Sequence, residues 1–449
     1  MSLKRLVFIA LICLSVLPLK AQLGLSFSIN KHVTSWALFS GYTGLELQII
    51  DTLYFDKENH LSYEFTLPQG MYQLEVDGET LEFLSEGKPV QYVATASLTE
   101  GEWFDDANRQ WSAYLHERTS YRQEIEALKT VLRQYDPQSP FYQNASQEFV
   151  RRQQSFHEVT EQLISDAPDS YAARLVKADR EMAIDPKSSG AEQRQVLIEH
   201  FLDEVDFDDL SLIPTNVLTT KFIDYLSLFQ GLEGVTDANV AFAMGLGKIL
   251  EKAKVNTKMY AFVLEYMLKG FTALGMDAVT DYLLNYPQLG EGDISVEDGM
   301  MLDSISAPYQ KVRVGVKAPD ILGLTINGDP YRLYDSQAKR KIVFFWSTEC
   351  EYCHDFLTAI RKNLDLENDY ELVTIALAES KKEVEKAVKK MKLLGHHFYE
   401  EERWEGEIIK NYHVFSTPTV FVLDADNNIV LKPYDWTEFC RDAIHRVCD

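Results

Sequence analysis

Cysteine is scarce in this chain of 449 residues: there are five, and none lies between Cys13 and Cys350. A scaffold stapled by disulfides spreads its cysteines along the chain, so the bulk of this protein must be held by apolar cores alone. Basic residues are also few, 44 Lys and Arg against 69 Asp and Glu, which leaves a net charge of −25. That balance excludes the broad attraction on which nucleic-acid binding and adhesion to anionic lipid depend. It is read as a soluble acidic surface. A phosphate-binding glycine loop is missing too. Gly245-Leu-Gly247 has neither a third glycine nor a strand before it. The apolar run from Leu6 to Leu19 falls short of the ~20 residues of a membrane-spanning helix.

That run has a different reading. It follows Lys4-Arg5 and leads to Leu19-Lys20-Ala21, the layout of a secretory signal, residues 1–21, cleaved after Ala21. An uncleaved anchor is the alternative. Cys13 follows Ile12 rather than a small residue, so lipidation there is not expected. Cleavage removes Lys4, Arg5 and Lys20 and no acid, taking the net charge from −25 to −28. The expected location is across the inner membrane, in the periplasm or cell envelope, without membrane anchoring.

The chain is too long for one core, and its patterning changes twice. Residues 22–104 read as strands. Alternation runs through 44–50, 61–67 and 71–76, with turns at Pro68-Gln-Gly70 and Asp77-Gly78. An antiparallel β sandwich is expected there. Residues 105–305 read as an all-α region. Trp111, Leu115, Ile125, Leu128 and Leu132 keep helical spacing, as do Phe149, Phe156, Val159 and Leu163, with breakers at Pro137, Pro168, Pro186 and Pro287. Those aromatic stripes are core rather than a cofactor box. Residues 306–449 read as an α/β domain.

The chemistry lies in that last part. Cys350-Glu351-Tyr352-Cys353 follows the apolar run Lys341–Trp346, a buried strand. It opens a segment with Phe356, Leu357, Ile360 and Leu364 at helical spacing. On a helix the two sulfurs share a face at i, i+3. Cys350, at the helix N-terminus, meets free N–H groups and the positive end of the dipole, which favour its thiolate. The thiolate attacks disulfides, so Cys350 is read as the nucleophile and Cys353 as the resolving thiol. Further on, the segment Tyr412–Asp424 reads as a strand beginning with Thr417-Pro418, and a proline is tolerated at such an entry.

These residues carry a resemblance. Gly315-Val-Lys-Ala-Pro-Asp320, Phe345-Trp-Ser-Thr-Glu-Cys350-Glu-Tyr-Cys353 and Pro418-Thr-Val-Phe421 resemble the motifs of thioredoxin-fold domains of the TlpA/ResA type, over residues 315–449. The β-rich N-terminal part resembles domains often joined to secreted thioredoxin-like proteins. The resemblance implies thiol–disulfide exchange with protein substrates and a redox partner that recycles the site. It implies a cis Pro418 beside the disulfide, Thr417 facing the sulfurs, and Trp346 in support. The chain also departs from the family. Where relatives place a buried acid near the resolving cysteine, this chain has Phe344 and Phe356, and Glu349 replaces the apolar residue usual before the first cysteine. Nearby His354, Glu351 and Asp355 do not match those positions.

Other chemistry fits less well. Cys350-x-x-Cys353-His354 also matches a haem c attachment site, but the strand before it and the Thr-Pro strand after it fit thioredoxin. Zinc would need four converging ligands, and His396 or His397, read as a loop or helix end, brings no paired spacing. No cofactor and no metal are expected. Cys440 lies on the apolar stripe of a terminal helix, Trp436–Val447. Cys448, eight residues on, would be ~12 Å away along a helix, too far for a bridge unless the end unwinds. The leading reading is an extracytoplasmic thiol–disulfide oxidoreductase. Acidic Glu349, Glu351 and Asp355 disfavour a thiolate at Cys350 and point to a reductant. The alternative is a non-catalytic thioredoxin-fold binding or assembly module.

Overall fold

A computed structural model describes residues 25–29, 35–63, 67–95, 97–286, 296–364, 370–433 and 435–444. Residues 1–21, expected to be a signal segment, and Pro287 and Cys448 lie outside them. The chain divides into two compact units, one up to Gln230 and one from Gly231. The helical stretch is shared between them. No helix among the described residues is long and apolar enough to cross a membrane.

The first unit opens with eight strands: β1 (Leu25–Ile29), β2 (Trp36–Thr43), β3 (Glu46–Tyr54), β4 (His60–Tyr63), β5 (Gly70–Val76), β6 (Glu79–Ser85), β7 (Val90–Ala94) and β8 (Gly101–Trp103). They form two four-stranded sheets, ordered β4-β1-β7-β8 and β3-β2-β5-β6. Both sheets feed one apolar cluster, in which Phe27, Phe39, Tyr72, Phe83, Tyr92 and Trp103 meet. The expectation of a wholly antiparallel arrangement is corrected at one seam: β1 and β7 pair in parallel, Phe27 opposite Tyr92. Parallel neighbours need a crossover rather than a hairpin, and here most of the strand region intervenes between them. Five helices complete the unit: α1 (Asp106–Gln134), α2 (Pro140–Asp166), α3 (Tyr171–Asp179), α4 (Gly190–His200) and α5 (Val217–Ser227). Asn108 joins α1 to β6, accepting from Leu84 N–H at 2.7 Å and donating to its carbonyl at 2.8 Å.

The second unit begins with α6 (Ala238–Ala253), α7 (Thr257–Ala273), α8 (Asp277–Asn285) and α9 (Val296–Gln310). A hairpin follows, β9 (Leu322–Leu324) with β10 (Pro330–Arg332). Then come β11 (Lys341–Ser347), α10 (Glu351–Asn363), β12 (Glu371–Leu377), α11 (Lys381–Met391), β13 (His396–Glu400), α12 (Glu407–Asn411), β14 (Thr419–Leu423), β15 (Ile429–Leu431) and α13 (Trp436–Phe439). The five-stranded sheet is ordered β13-β12-β11-β14-β15, parallel from β11 to β13 and antiparallel across β11–β14 and β14–β15. β11 is central and covered on both faces, which is why its sequence is a continuous apolar run. Its side chains alternate. Val343 and Phe345 enter one core with Tyr412 and Phe421. Ile342, Phe344 and Trp346 enter the other with Cys353, Phe356 and Leu357.

Two local expectations change. His396 and His397 open β13 rather than lying in a loop or helix end. The C-terminal helix is α-helical only through Phe439 and continues as a π turn over Cys440–Ile444. Cys440 is buried and disulfide-bonded.

His397 gives this unit a pH dependence. It is 4% exposed, and its Nδ1 lies 2.9 Å from Thr374 Oγ1. Burial pushes its pKa down to about 4, against about 6.5 in an unfolded chain. As pH falls the unfolded state takes up the proton first. The stability that neutral His397 contributes is therefore whole above pH 6.5 and is lost between 6.5 and 4. The loss from pH 7 to pH 5 should be about 2 kcal/mol. Urea unfolding of His397→Gln at the two pH values should show that much less sensitivity. An unchanged pH slope would assign the effect elsewhere.

Candidate active site

β11 delivers the chain to the C-terminal end of the parallel strands, and the turn Ser347–Glu349 leads into α10. Ser347 organises this turn twice. Its hydroxyl accepts from Glu349 N–H at 3.3 Å, and its carbonyl accepts from Cys350 N–H at 3.2 Å. Cys350 is the N-cap of α10, with φ −90° and ψ 103°. Its sulfur accepts the Cys353 N–H at 3.2 Å, the place usually taken by a Ser, Thr, Asp or Asn oxygen. Once the sulfur is reduced, that N–H and the dipole of α10 stabilise negative charge on it.

Cys353 sits one turn inside and is fully buried, beside Trp346, Phe356 and Leu357. The two cysteines form a disulfide with Cα atoms 5.2 Å apart. Cys350 is half-buried, while Cys353 has no exposed surface.

The loop before β14 closes over the pair. The Thr417–Pro418 peptide bond is cis, and the Thr417 carbonyl oxygen lies 3.7 Å from Cys350 Sγ. It is the backbone of Thr417 that reaches the sulfur. Thr419 Oγ1 donates to the Ser416 carbonyl at 2.7 Å and braces the turn around Pro418. Trp346 lies beneath the site in the core, with its Nε1–H unpartnered among the described residues.

Two features were not legible beforehand. His354 Nε2 stands 3.0 Å from the Thr348 carbonyl oxygen. A carbonyl only accepts, so Nε2 carries the hydrogen, and the ring ties the start of α10 to the turn before it. The sole signal was a histidine directly after the second cysteine. The second is a contact: Phe344 and Phe356, already named in place of the relatives' acid, pack edge to face with ring centroids 5.2 Å apart. Glu349, Glu351 and Asp355 are all exposed, where water and salt screen their effect on the sulfur. Among the described residues, no three His, Cys, Asp or Glu side chains are placed to hold a metal.

Comparison with known proteins agrees with this geometry. Residues 314–432 match the model of the AhpC/TSA family. The chain is 27% identical over 123 residues to the thioredoxin-like protein YneN of Bacillus subtilis strain 168, covering 26% of this chain and 71% of that protein. It is equally similar to the thiol-disulfide oxidoreductase ResA of Bacillus thuringiensis subsp. konkukian, at 27% over 123 residues, covering 27% of this chain and 69% of ResA. Among solved structures, a thioredoxin-like protein from Bacteroides caccae aligns with 59% of this chain and 98% of its own length, at 18% identity and a TM-score of 0.37. The sheet order, the cysteine pair at the start of α10 and the match of residues 314–432 to the family model together give this chain a C-terminal thioredoxin-like domain similar to those of the AhpC/TSA family.

Proposed function

We propose that this protein exchanges disulfides with polypeptide substrates through Cys350 and Cys353, outside the cytoplasm, and that it works as a reductant. The observation that carries this reading is the asymmetry of the pair. Cys350 is reachable and meets the Cys353 N–H, while Cys353 is buried beneath it. In the reductive direction, the Cys350 thiolate attacks a substrate disulfide and forms a mixed disulfide, releasing one substrate thiolate. Cys353 then loses its proton and attacks Cys350 Sγ, releasing the second substrate thiolate. Two electrons pass to the substrate and the Cys350–Cys353 disulfide forms. A separate redox partner must reduce it again. Trp346, Thr417 and Pro418 support the pair, from beneath and from the facing loop.

The direction follows from what stabilises the thiolate. A strong oxidant needs its reduced form held by a strongly favoured thiolate. Here only one N–H and a helix end favour it, and the exposed carboxylates beside it, Glu349 and Glu351, oppose it weakly through solvent. The extracytoplasmic location rests on the signal-like segment 1–21.

One observation favours a second reading, a thioredoxin-fold binding module without turnover. Phe344 and Phe356, at the positions where relatives place a buried acid, share the apolar cluster of Cys353 and cannot take its proton. Reduction of insulin disulfides by the mature protein separates the two. Turnover above that of Cys350→Ser/Cys353→Ser is expected, and its absence would favour the binding module. A titration against glutathione should give a potential well below the about −120 mV of a strong periplasmic oxidant. A value near that figure would refute the reductant reading.

A further inference from the structure

A groove of about 670 Å³ runs beside the disulfide between α10 and α11. Thr348, Glu349 and His354, which flank the two cysteines, line one end of it. β11 and β12 are parallel, Phe345 opposite Ile375. The helices that follow them, α10 and α11, therefore both start at the C-terminal end of the parallel strands, which carries the disulfide, and both run away from it.

The charges lining the groove are sorted along its length. Near the disulfide they are acidic: Glu349 in the turn, Asp355 early on α10, Glu379 just before α11 and Glu383 in its first turn. At the far end they are basic: Arg361 in the last turn of α10, then Lys386, Lys390 and Lys392 along and after α11. At 1.5 Å per residue, Arg361 lies about 9 Å beyond Asp355, and Lys390 about 10 Å beyond Glu383. Helix dipoles favour this order of signs. They do not require both helices to turn the charged residues into one shared groove. Nor do these charges neutralise one another: among the described residues none of them makes an ion pair. Elsewhere on the same unit ion pairs are common, as in Lys410–Glu405 at 2.8 Å and Arg332–Asp320 at 2.6 Å. Arg361 Nε is itself buried and unpartnered among the described residues.

We propose that this groove binds the stretch of substrate polypeptide beside the cysteine under attack. It selects a basic residue close to that cysteine and acidic residues about three positions further on, since an extended chain advances about 3.3 Å per residue. Ala387 and Met391 give the passing chain an apolar wall. The inference rests on the exchange reaction proposed above and adds its substrate preference.

The test uses the reduced mature protein and two short peptides, each joined through its single cysteine to glutathione. One peptide carries arginine beside the cysteine and two glutamates three positions on; the other has these charges swapped. At low salt the first should react about three- to tenfold faster, the scale of a few exposed ion pairs. At about 0.5 M salt the preference should shrink. In Lys386→Glu/Lys390→Glu, two exposed positions away from the cysteines, it should fall to unity or invert. The rate with the uncharged disulfide of 2-mercaptoethanol should stay unchanged. Equal rates for the two peptides, or a preference that survives the charge reversal, would overturn the groove assignment while leaving exchange intact. A protein inert even towards the small disulfide would instead remove the exchange reading, and the groove's role with it.

Discussion

Cys350→Ser should abolish insulin reduction, by on the order of a thousandfold or more, because the thiol that remains, Cys353, is fully buried and cannot meet a substrate disulfide. Cys353→Ala should behave differently. Attack by Cys350 remains possible, but nothing resolves the product, so a covalent complex with substrate should accumulate and show as a shifted band without reductant. The difference follows from burial. Cys350 is half-buried and Cys353 is fully buried, so the reduced protein should also be alkylated first at Cys350. Preferential labelling of Cys353, or trapping by Cys350→Ala in place of Cys353→Ala, would reverse the assignment. Calorimetry should show unfolding of the first unit unchanged in both variants, since no cysteine lies between Cys13 and Cys350.

Much of this site was legible because its chemistry is local in sequence. A continuous apolar run, a Cys-x-x-Cys and an apolar stripe at Phe356, Leu357 and Ile360 define β11, the N-cap and the buried face of α10 without reference to anything distant. What stayed hidden depends on partners far along the chain. The Thr417 carbonyl meets Cys350 across 67 residues, and sequence named the residue but not the atom. The groove depends on α11, whose charges look like an ordinary solvated surface until α10 lies beside them. Burial was the weakest inference. β3 shows apolar alternation, yet Ile49 is 67% and Tyr54 71% exposed, because β3 is the edge of its sheet. Alternation reports a strand, and only the sheet order reports which face is covered. The β1–β7 pairing is likewise long-range, and turn signals cannot distinguish it from a hairpin.

Trp346→Ala should produce the largest loss of stability near the site. The side chain is fully buried at the end of β11 and belongs to the cluster that encloses Cys353, Phe356 and Leu357. Truncating a buried aromatic to alanine costs about 3–5 kcal/mol, through lost transfer energy and the cavity left behind. For a unit of this size the melting temperature should fall by roughly 10 °C or more, in the transition of the second unit. Trp346→Phe should cost far less. It keeps most of the volume and removes an indole N–H that has no partner among the described residues, a group whose burial is itself unfavourable. The alanine variant also tests whether Trp346 supports the redox pair or only the core. If packing under Cys353 is what keeps that sulfur inert, the cavity should let alkylating reagents reach it, and the ratio of Cys350 to Cys353 labelling should drop well below that of the parent at a temperature where both remain folded. A lowered melting temperature with an unchanged labelling ratio would leave Trp346 as a core residue alone, and the inertness of Cys353 would then have to come from the wall opposite, where Phe356 packs on Trp436 and Phe439.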